Sequence, residues 1–335
     1  MAGRRVLNII ISVLIASLFL YLAFRDVDMA SLREHLTRIR FGWILPYIAA
    51  LTASHWLRAA RWELYLPEME RQPPRITLFA GVMVGYMMNY VFPRLGEVSR
   101  PLFVARQTGE SGSSLLGTIV LERVIDLFFL ILFLVVISVW FISDGQMMGE
   151  IFGTESWSVS VWLAVPFVVT TLLLLVWGLD RLLHYLNSRP EVHPLVEKLS
   201  EFLSLFREGV LAIRKLERWG LFTLYTAGIW LGYTLMAWLP FHMLDLHEQF
   251  GLGLVESMVV TTISAVGVAI PTPGGIGSYH LFVQQTLWLL YEVPLVSGIT
   301  YATVTHAANL VVNFMVGGIA LWYNKYYTLK EKLVR

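Results

Sequence analysis

Six stretches of this chain, 6–24, 41–60, 114–142, 159–179, 219–243 and 294–322, are apolar and of spanning length. About 20 apolar residues in a helix cross the ~30 Å hydrocarbon core of a bilayer, so the chain is expected to thread a membrane repeatedly. Composition agrees: 56% of residues are hydrophobic, 15% are charged, and the 12 Trp, 14 Tyr and 19 Phe suit the two membrane interfaces. Mean hydropathy is +0.64. The absence of cysteine excludes disulfide and thiolate chemistry. Net charge is +1, which says nothing of partners because charges in such a chain sort by side. No segment is long and polar enough for a soluble domain, so residues 1–335 are expected to form a single integral membrane domain.

Two further apolar stretches are short and broken. Residues 76–92 run into Pro93-Arg94-Leu95-Gly96, and the return, 97–109, is too charged to face lipid. Residues 254–270 run into PTPGGIG, 271–277, and a short arm, 278–291, follows. An arm of this length covers only about 25 Å as a helix, and irregular backbone at membrane depth is tolerated only inside protein or along a cavity. Each broken segment is therefore read as a re-entrant hairpin. Between Asn89 and Asp126 the chain also sets Arg94, Glu97, Arg100, Arg106, Glu122, Arg123 and Asp126 among apolar runs. A charge near the bilayer centre costs roughly 2.5–3.5 kcal/mol on insertion scales. These charges are expected to face a protein interior or an aqueous path, with Arg94, Glu97, Arg123 and Asp126 in one buried cluster.

Loop charges orient the chain. Arg4 and Arg5 precede the first span; Arg58, Arg61, Arg71 and Arg75 form a basic loop; residues 180–218 carry seven cations; and Lys325, Lys330, Lys332 and Arg335 close the chain. The intervening loops 143–158 and 244–253 lack Lys and Arg. The positive-inside rule then gives cytoplasmic termini in the inner membrane, with hairpins opening to opposite sides. Residues 25–40 read as an interfacial helix, and Leu195, Leu199, Phe202, Phe206, Val210 and Ile213 recur at helical spacing in a segment read as amphipathic or as a solvated linker. The fold class is all-α polytopic: about six transmembrane helices plus two re-entrant hairpins from opposite sides. PRLGEVSRPLFVARQT and PGGIGSYHLFVQQT share a turn, LFV and QT, an echo of the kind inverted repeats leave.

Each break is followed by a helix start, so N–H groups at Gly96–Val98 and at Gly277–Tyr279 are expected to seek an anion. Arginine offers a planar fork for phosphate, which makes a phosphate-bearing head group near Arg94, Arg100 and Arg123 chemically sensible. The plainer alternative is structural pairing, Glu97 with Arg100 and Arg123 with Asp126 or Glu122. His242, Asp245, His247 and Glu248 are metal-ligand types without a recognised spacing, and read better as an interfacial polar cap. Thr303, His306, Asn309 and Asn313 share a face of the last span; they line a polar path or hydrogen-bond across helices.

The ordered set RAARW, NYVFPRLGEVSR, LERVID and PTPGGIG resembles the flippase-like transmembrane domain of lysylphosphatidylglycerol synthases and their stand-alone relatives. The resemblance covers nearly the whole chain. It implies a domain with re-entrant helices that moves aminoacylated phospholipid, polyprenyl-linked lipid or other glycolipid between leaflets. By that pattern the substrate-binding residues are Arg58, Arg61, Asn89, Arg94, Gly96, Glu97, Arg100, Glu122, Arg123, Asp126, Pro273, Gly274, Gly275 and Gly277, with Pro93 at the first turn. His280 is a departure: the family commonly has glutamate there, so the carried-over substrate and any cation-linked role do not transfer directly. His280 is kept among the candidates. The aminoacyl-transferase domain of the full synthases has no counterpart in this sequence.

Three functions follow. The first is a lipid flippase or scramblase, not an enzyme, needing no cofactor or metal. The second is a membrane-embedded transferase or hydrolase acting on a lipid-linked phosphate, since carboxylates beside arginines suit acid–base work. The third is a non-catalytic partner of a lipid-modifying enzyme. No nucleophile–base spacing or nucleotide loop supports the second. The expected partners are a membrane lipid with a phosphate-containing head group and either a second copy of the chain or a lipid-modifying enzyme, not nucleic acid.

Overall fold

The computed structural model describes residues 2–66, 72–109, 112–143 and 216–334, with Gly178 and Arg181, and every regular element among them is helical. Nearly all of the expected span at 159–179 and of the segment 180–218 lies outside the described residues. The chain divides into two compact units, one of Met1–Leu116 with Arg218–Arg335 and one of Gly117–Glu217.

The first unit opens with α1 (Ala2–Phe24) and α2 (Met29–Thr37), bent by 86° from one another. Asp28 caps α2: its carboxylate accepts from the Ser31 amide at 2.8 Å and the Ser31 hydroxyl at 2.7 Å, which holds its pKa below the usual value. Helix α3 (Ile44–Glu63) tolerates Pro46 because it is the third residue, within the turn whose amides have no intrahelical acceptor. Helices α4 (Arg75–Val91) and α5 (Leu95–Thr108) form the first hairpin, and α6 (Gly112–Ser143) leads into the second unit. Helix α7 (Trp219–Met243), the short α8 (Leu246–Phe250), a second hairpin of α9 (Leu254–Ala269) and α10 (Ser278–Tyr291), and α11 (Leu295–Val334) complete the first unit.

Helices thus cover the expected stretches 41–60, 114–142, 219–243 and 294–322 to within a few residues, and α11 continues about three turns further. Among the described residues, Leu295–Tyr323 is long and apolar enough to cross a membrane alone, and 9–24 with 29–37 qualifies as a bent pair. Large apolar side chains lie exposed along α1 (Ile9, Val13, Leu14, Leu18) and α11 (Met315, Ile319, Trp322), a surface suited to lipid rather than water.

Between helices, small residues set the approach. Lipid tails are as apolar as leucine, so membrane helices associate by close packing. Gly232 of α7 meets Ser54 of α3, Gly317 of α11 meets Met87 of α4, and Gly267 of α9 meets Phe282 and the Ser278 carbonyl of α10. Around them Tyr47, Leu51, Met83, Leu239, Met243 and Val312 form one core, and Phe241, Val260, Val283, Leu287 and Tyr301 contribute to another.

Candidate functional site

Both hairpins are built by the same device, a proline- and glycine-containing break between two antiparallel helices. In the first, Gly81 lies against Val104 and Gly85 against Arg100, so contacts run in opposite directions along α4 and α5. At the tip, a Cβ on Gly96 would collide with the Gly85 carbonyl and the Asn89 side chain. Glycine is required there by the closeness of the two backbones. Arg94 takes the left-handed conformation at φ 61° to reverse the chain.

The amides at the start of α5 are already committed. Leu95 N–H donates to the Phe92 carbonyl at 3.1 Å, Gly96 N–H to Asn89 Oδ1 at 2.7 Å, and Glu97 N–H to the Arg94 carbonyl at 3.2 Å. The expected anion-seeking end at Gly96–Val98 is therefore closed over two of its three residues, because an asparagine two turns earlier in space serves as the helix cap. The second hairpin differs. Gly274, Gly275 and Gly277 have φ of 59°, 78° and 82°, and α10 starts without a side-chain cap. Gly277 abuts α1, where a Cβ would come within 2.5 Å of the Ala16 carbonyl and 2.9 Å of Leu20 N. Thr272 and Ser278 hydroxyls meet at 3.0 Å across the break.

The two breaks touch. A Cβ on Gly274 would enter the ring of Tyr90, which ends α4 just before the first break. Arg94 Nη2 reaches the Ala269 carbonyl at the end of α9 at 3.4 Å. His306 of α11 hydrogen-bonds the Gly274 carbonyl through Nε2 at 3.0 Å, with Tyr90 edge-on to its ring at 5.4 Å.

A second group gathers buried arginines and aromatic rings from α3, α4, α5 and α7. Arg58, Arg61 and Arg100 are 3%, 0% and 4% exposed. Arg58 and Arg61 are three apart on one face of α3. Arg58 donates to the Tyr233 hydroxyl through Nη2 at 2.6 Å and Nε at 3.1 Å. His55 stacks on Tyr86 at 4.2 Å, and the Arg100 guanidinium sits 4.0 Å from the centroid of Trp62. Buried guanidiniums against aromatic faces are matched to a planar, delocalised cation.

Helix α11 presents its polar face. Asn309 Nδ2 donates to the Tyr47 hydroxyl at 2.9 Å, which donates to the Thr305 carbonyl at 3.3 Å. Tyr279 and Thr305 hydroxyls meet at 2.8 Å, and the His280 and His306 rings lie 4.8 Å apart. The cross-helix hydrogen bonds expected of His306 and Asn309 are thus present. Asn313 is buried, and Thr303 is half-buried on the same helix.

The structure redistributes the expected charge cluster. Arg94 is exposed, and the buried cation of the first hairpin is Arg100. Glu97 is half-buried on α5. Glu122, Arg123 and Asp126 belong to α6 in the second unit: Glu122 is fully buried, while Arg123 is exposed and pairs with Asp126 at 3.9 Å. Arg94 and Arg123 are each exposed, so neither side chain has the burial expected of it. Pro273 opens the single turn that carries Gly274 and Gly275. Where α7 ends and α8 begins, His242 stacks on Trp43 at 4.9 Å and lies 3.9 Å from His247, and Arg40 pairs with Asp245 at 2.7 Å. Among the described residues no group of three or more His, Asp or Glu side chains converges as for a metal. Sequence reasoning missed His55, Trp62, Tyr86, Tyr90 and Tyr233; the run HWLRAARW held the signal for the first two, since 55, 58 and 62 share a helical face.

The fold and this centre define an all-α membrane protein with two broken, mutually touching hairpins. The family described as the lysylphosphatidylglycerol synthase TM region matches residues 9–317, and the chain belongs to that family. The UPF0104 membrane protein MJ1078 of Methanocaldococcus jannaschii is 26% identical over 192 residues, covering 57% of this chain and 74% of that protein. No solved structure matches.

Proposed function

We propose that this chain moves a lipid with a phosphate-bearing head group between the leaflets of the membrane, acting as one integral module without chemical turnover. The observation that carries the reading is the contact between the two hairpin breaks, Gly274 on Tyr90 and Arg94 on Ala269, in a chain that also buries three arginines. Broken helices that meet around polar groups are the usual site construction of transporters whose two states alternate about a fixed centre. The lipid's tails stay in the bilayer while the head group passes, so only the polar part needs a path.

In this reading the hairpins are re-entrant, both termini face the cytoplasm, and the protein resides in the inner membrane. The loop charges support that orientation. Arg94, exposed at the junction, meets the phosphate first. Asn89 and Gly96 act by positioning, one as the cap and the other as the point of closest approach.

The test is reconstitution into liposomes with leaflet-reporting phosphatidylglycerol, aminoacylated phosphatidylglycerol and polyprenyl phosphate. Wild type is expected to accelerate exchange of at least one probe, and Arg94→Ala to slow it about tenfold, the loss of one charge-assisted contact of ~1.4 kcal/mol. Equal rates for the two proteins across the panel would overturn the reading. Conversion of a probe into a new chemical species would assign an enzyme instead.

A further inference from the structure

The polar hydrogens around the second break are almost all spent. Tyr47 donates to the Thr305 carbonyl and accepts from Asn309. The Thr305 hydroxyl donates to the Tyr301 carbonyl at 2.8 Å, so in the Tyr279–Thr305 contact the tyrosine is the donor. A carbonyl only accepts, so His306 Nε2 carries a hydrogen for Gly274 and the lone pair of that ring sits on Nδ1. Buried polar atoms of α10 and α11 still without a hydrogen-bond partner include Gln284 Oε1, Thr303 Oγ1, Asn313 Oδ1 and a ring nitrogen of His280. His280 is 6% exposed, and its buried Nδ1 has no hydrogen-bond partner. Its ring stands 4.8 Å from that of His306, itself 8% exposed.

Among the described residues, Tyr90 and Tyr279 lie against the His306 ring and Tyr279 lies edge-on to His280. Helix α3 brings Tyr47, α4 Tyr90, α10 Tyr279, and α11 Thr305 and Asn309. Against the glycines of the second break, α9 brings Val268 and α1 brings Ala16, Phe19 and Leu20. Among these groups the one fixed charge is Arg94, whose guanidinium reaches the Ala269 carbonyl. Among these groups there is no carboxylate. A proton on the pair therefore makes a buried positive charge that the protein itself leaves without an opposite charge, which is costly. An anion at the junction supplies that charge.

We propose that His280 and His306 form a proton-binding site whose occupancy rises when a phosphate-bearing head group sits at the hairpin junction, so that an anionic lipid and a proton travel together. The identity of the anion rests on the lipid-transport reading; the proton site rests on the histidine geometry. Linkage makes the effect reciprocal: the head group raises proton uptake as much as the proton raises head-group affinity.

The full chain is reconstituted in nanodiscs of phosphatidylcholine or of phosphatidylglycerol, and proton uptake is followed by histidine-selective NMR from acid pH, below the ordinary histidine range, up to mildly alkaline pH. The pair is expected to take up its proton about one pH unit higher in phosphatidylglycerol, the effect of a close opposite charge, over and above any change at half-buried His35 of α2. His35 reports the surface potential of the anionic bilayer. His280→Gln and His306→Gln should each remove the shifted signal. Equal uptake in the two lipids, a shift no larger than that of His35, or a shift that survives both substitutions overturns the proposal. Should a variant not fold, the wild-type comparison between lipids decides alone. The shift without any lipid movement in liposomes leaves the proton site standing and removes transport; lipid movement without the shift does the reverse.

Discussion

The two hairpins reach one architecture by opposite chemistry. The first spends side chains: Asn89 caps α5, Arg94 turns the chain in a conformation that a non-glycine residue rarely adopts, and Arg100 fills the space against Gly85 and Trp62. The second spends glycines: three positive-φ positions make the turn, α10 begins without a side-chain cap, and the polar groups are histidine, tyrosine and hydroxyls. A hairpin closed by an asparagine side chain thus meets one closed by glycines, with His280 at the start of its second arm. The contrast teaches that helix–break–helix is a backbone solution with freedom in its side chains.

The largest effect should come from adding a methyl group where backbones touch. Gly96→Ala drives Cβ into the Gly85 carbonyl, which cannot swing away. A loss of about 3 kcal/mol is expected, the upper end for overpacking, read as a lowered unfolding midpoint in detergent. Gly274→Ala meets the Tyr90 ring instead and adds backbone strain at φ 59°. About 2 kcal/mol is expected, and Tyr90→Ala in the same chain should recover part of it, a coupling that a double-mutant cycle reads directly. Equal and unrecoverable losses at the two glycines would erase the distinction between a backbone clash and a side-chain clash.

Next comes the cap. Asn89→Ala should cost about 1 kcal/mol, and Asn89→Asp should keep most of it, since a carboxylate also accepts from the Gly96 amide. The smallest change is a gain: Arg94→Gly relieves the left-handed strain at φ 61° and should stabilise the chain by about 1 kcal/mol while slowing lipid exchange. Stability and activity moving in opposite directions there would separate the turn's cost from the guanidinium's use. A loss of stability would mean that the contact with the Ala269 carbonyl outweighs the strain.

Where the helices start and stop was largely written in the sequence. The arm expected at 278–291 is the helix Ser278–Tyr291, and the arms at 76–92 and 254–270 are α4 and α9 within one residue at each end. Proline removes an amide, glycine permits positive φ, and an apolar run propagates a helix; each signal acts within one or two turns of chain. Local physics of that range needs no partner. What the sequence left open was which polar groups would be buried and with what. Arg94 and Arg100 are six residues apart and look alike in the chain, yet one lies exposed and the other lies against Trp62 of α3. Asn89 looked like one more substrate candidate, and the return of α5 beside α4 made it a helix cap. His280 and His306 lie 26 residues apart on separate helices, and the Tyr90–Gly274 contact joins residues on different hairpins. Those meetings are set by helix packing around small residues, a property of surfaces brought together in space, and no local pattern along the chain encodes them.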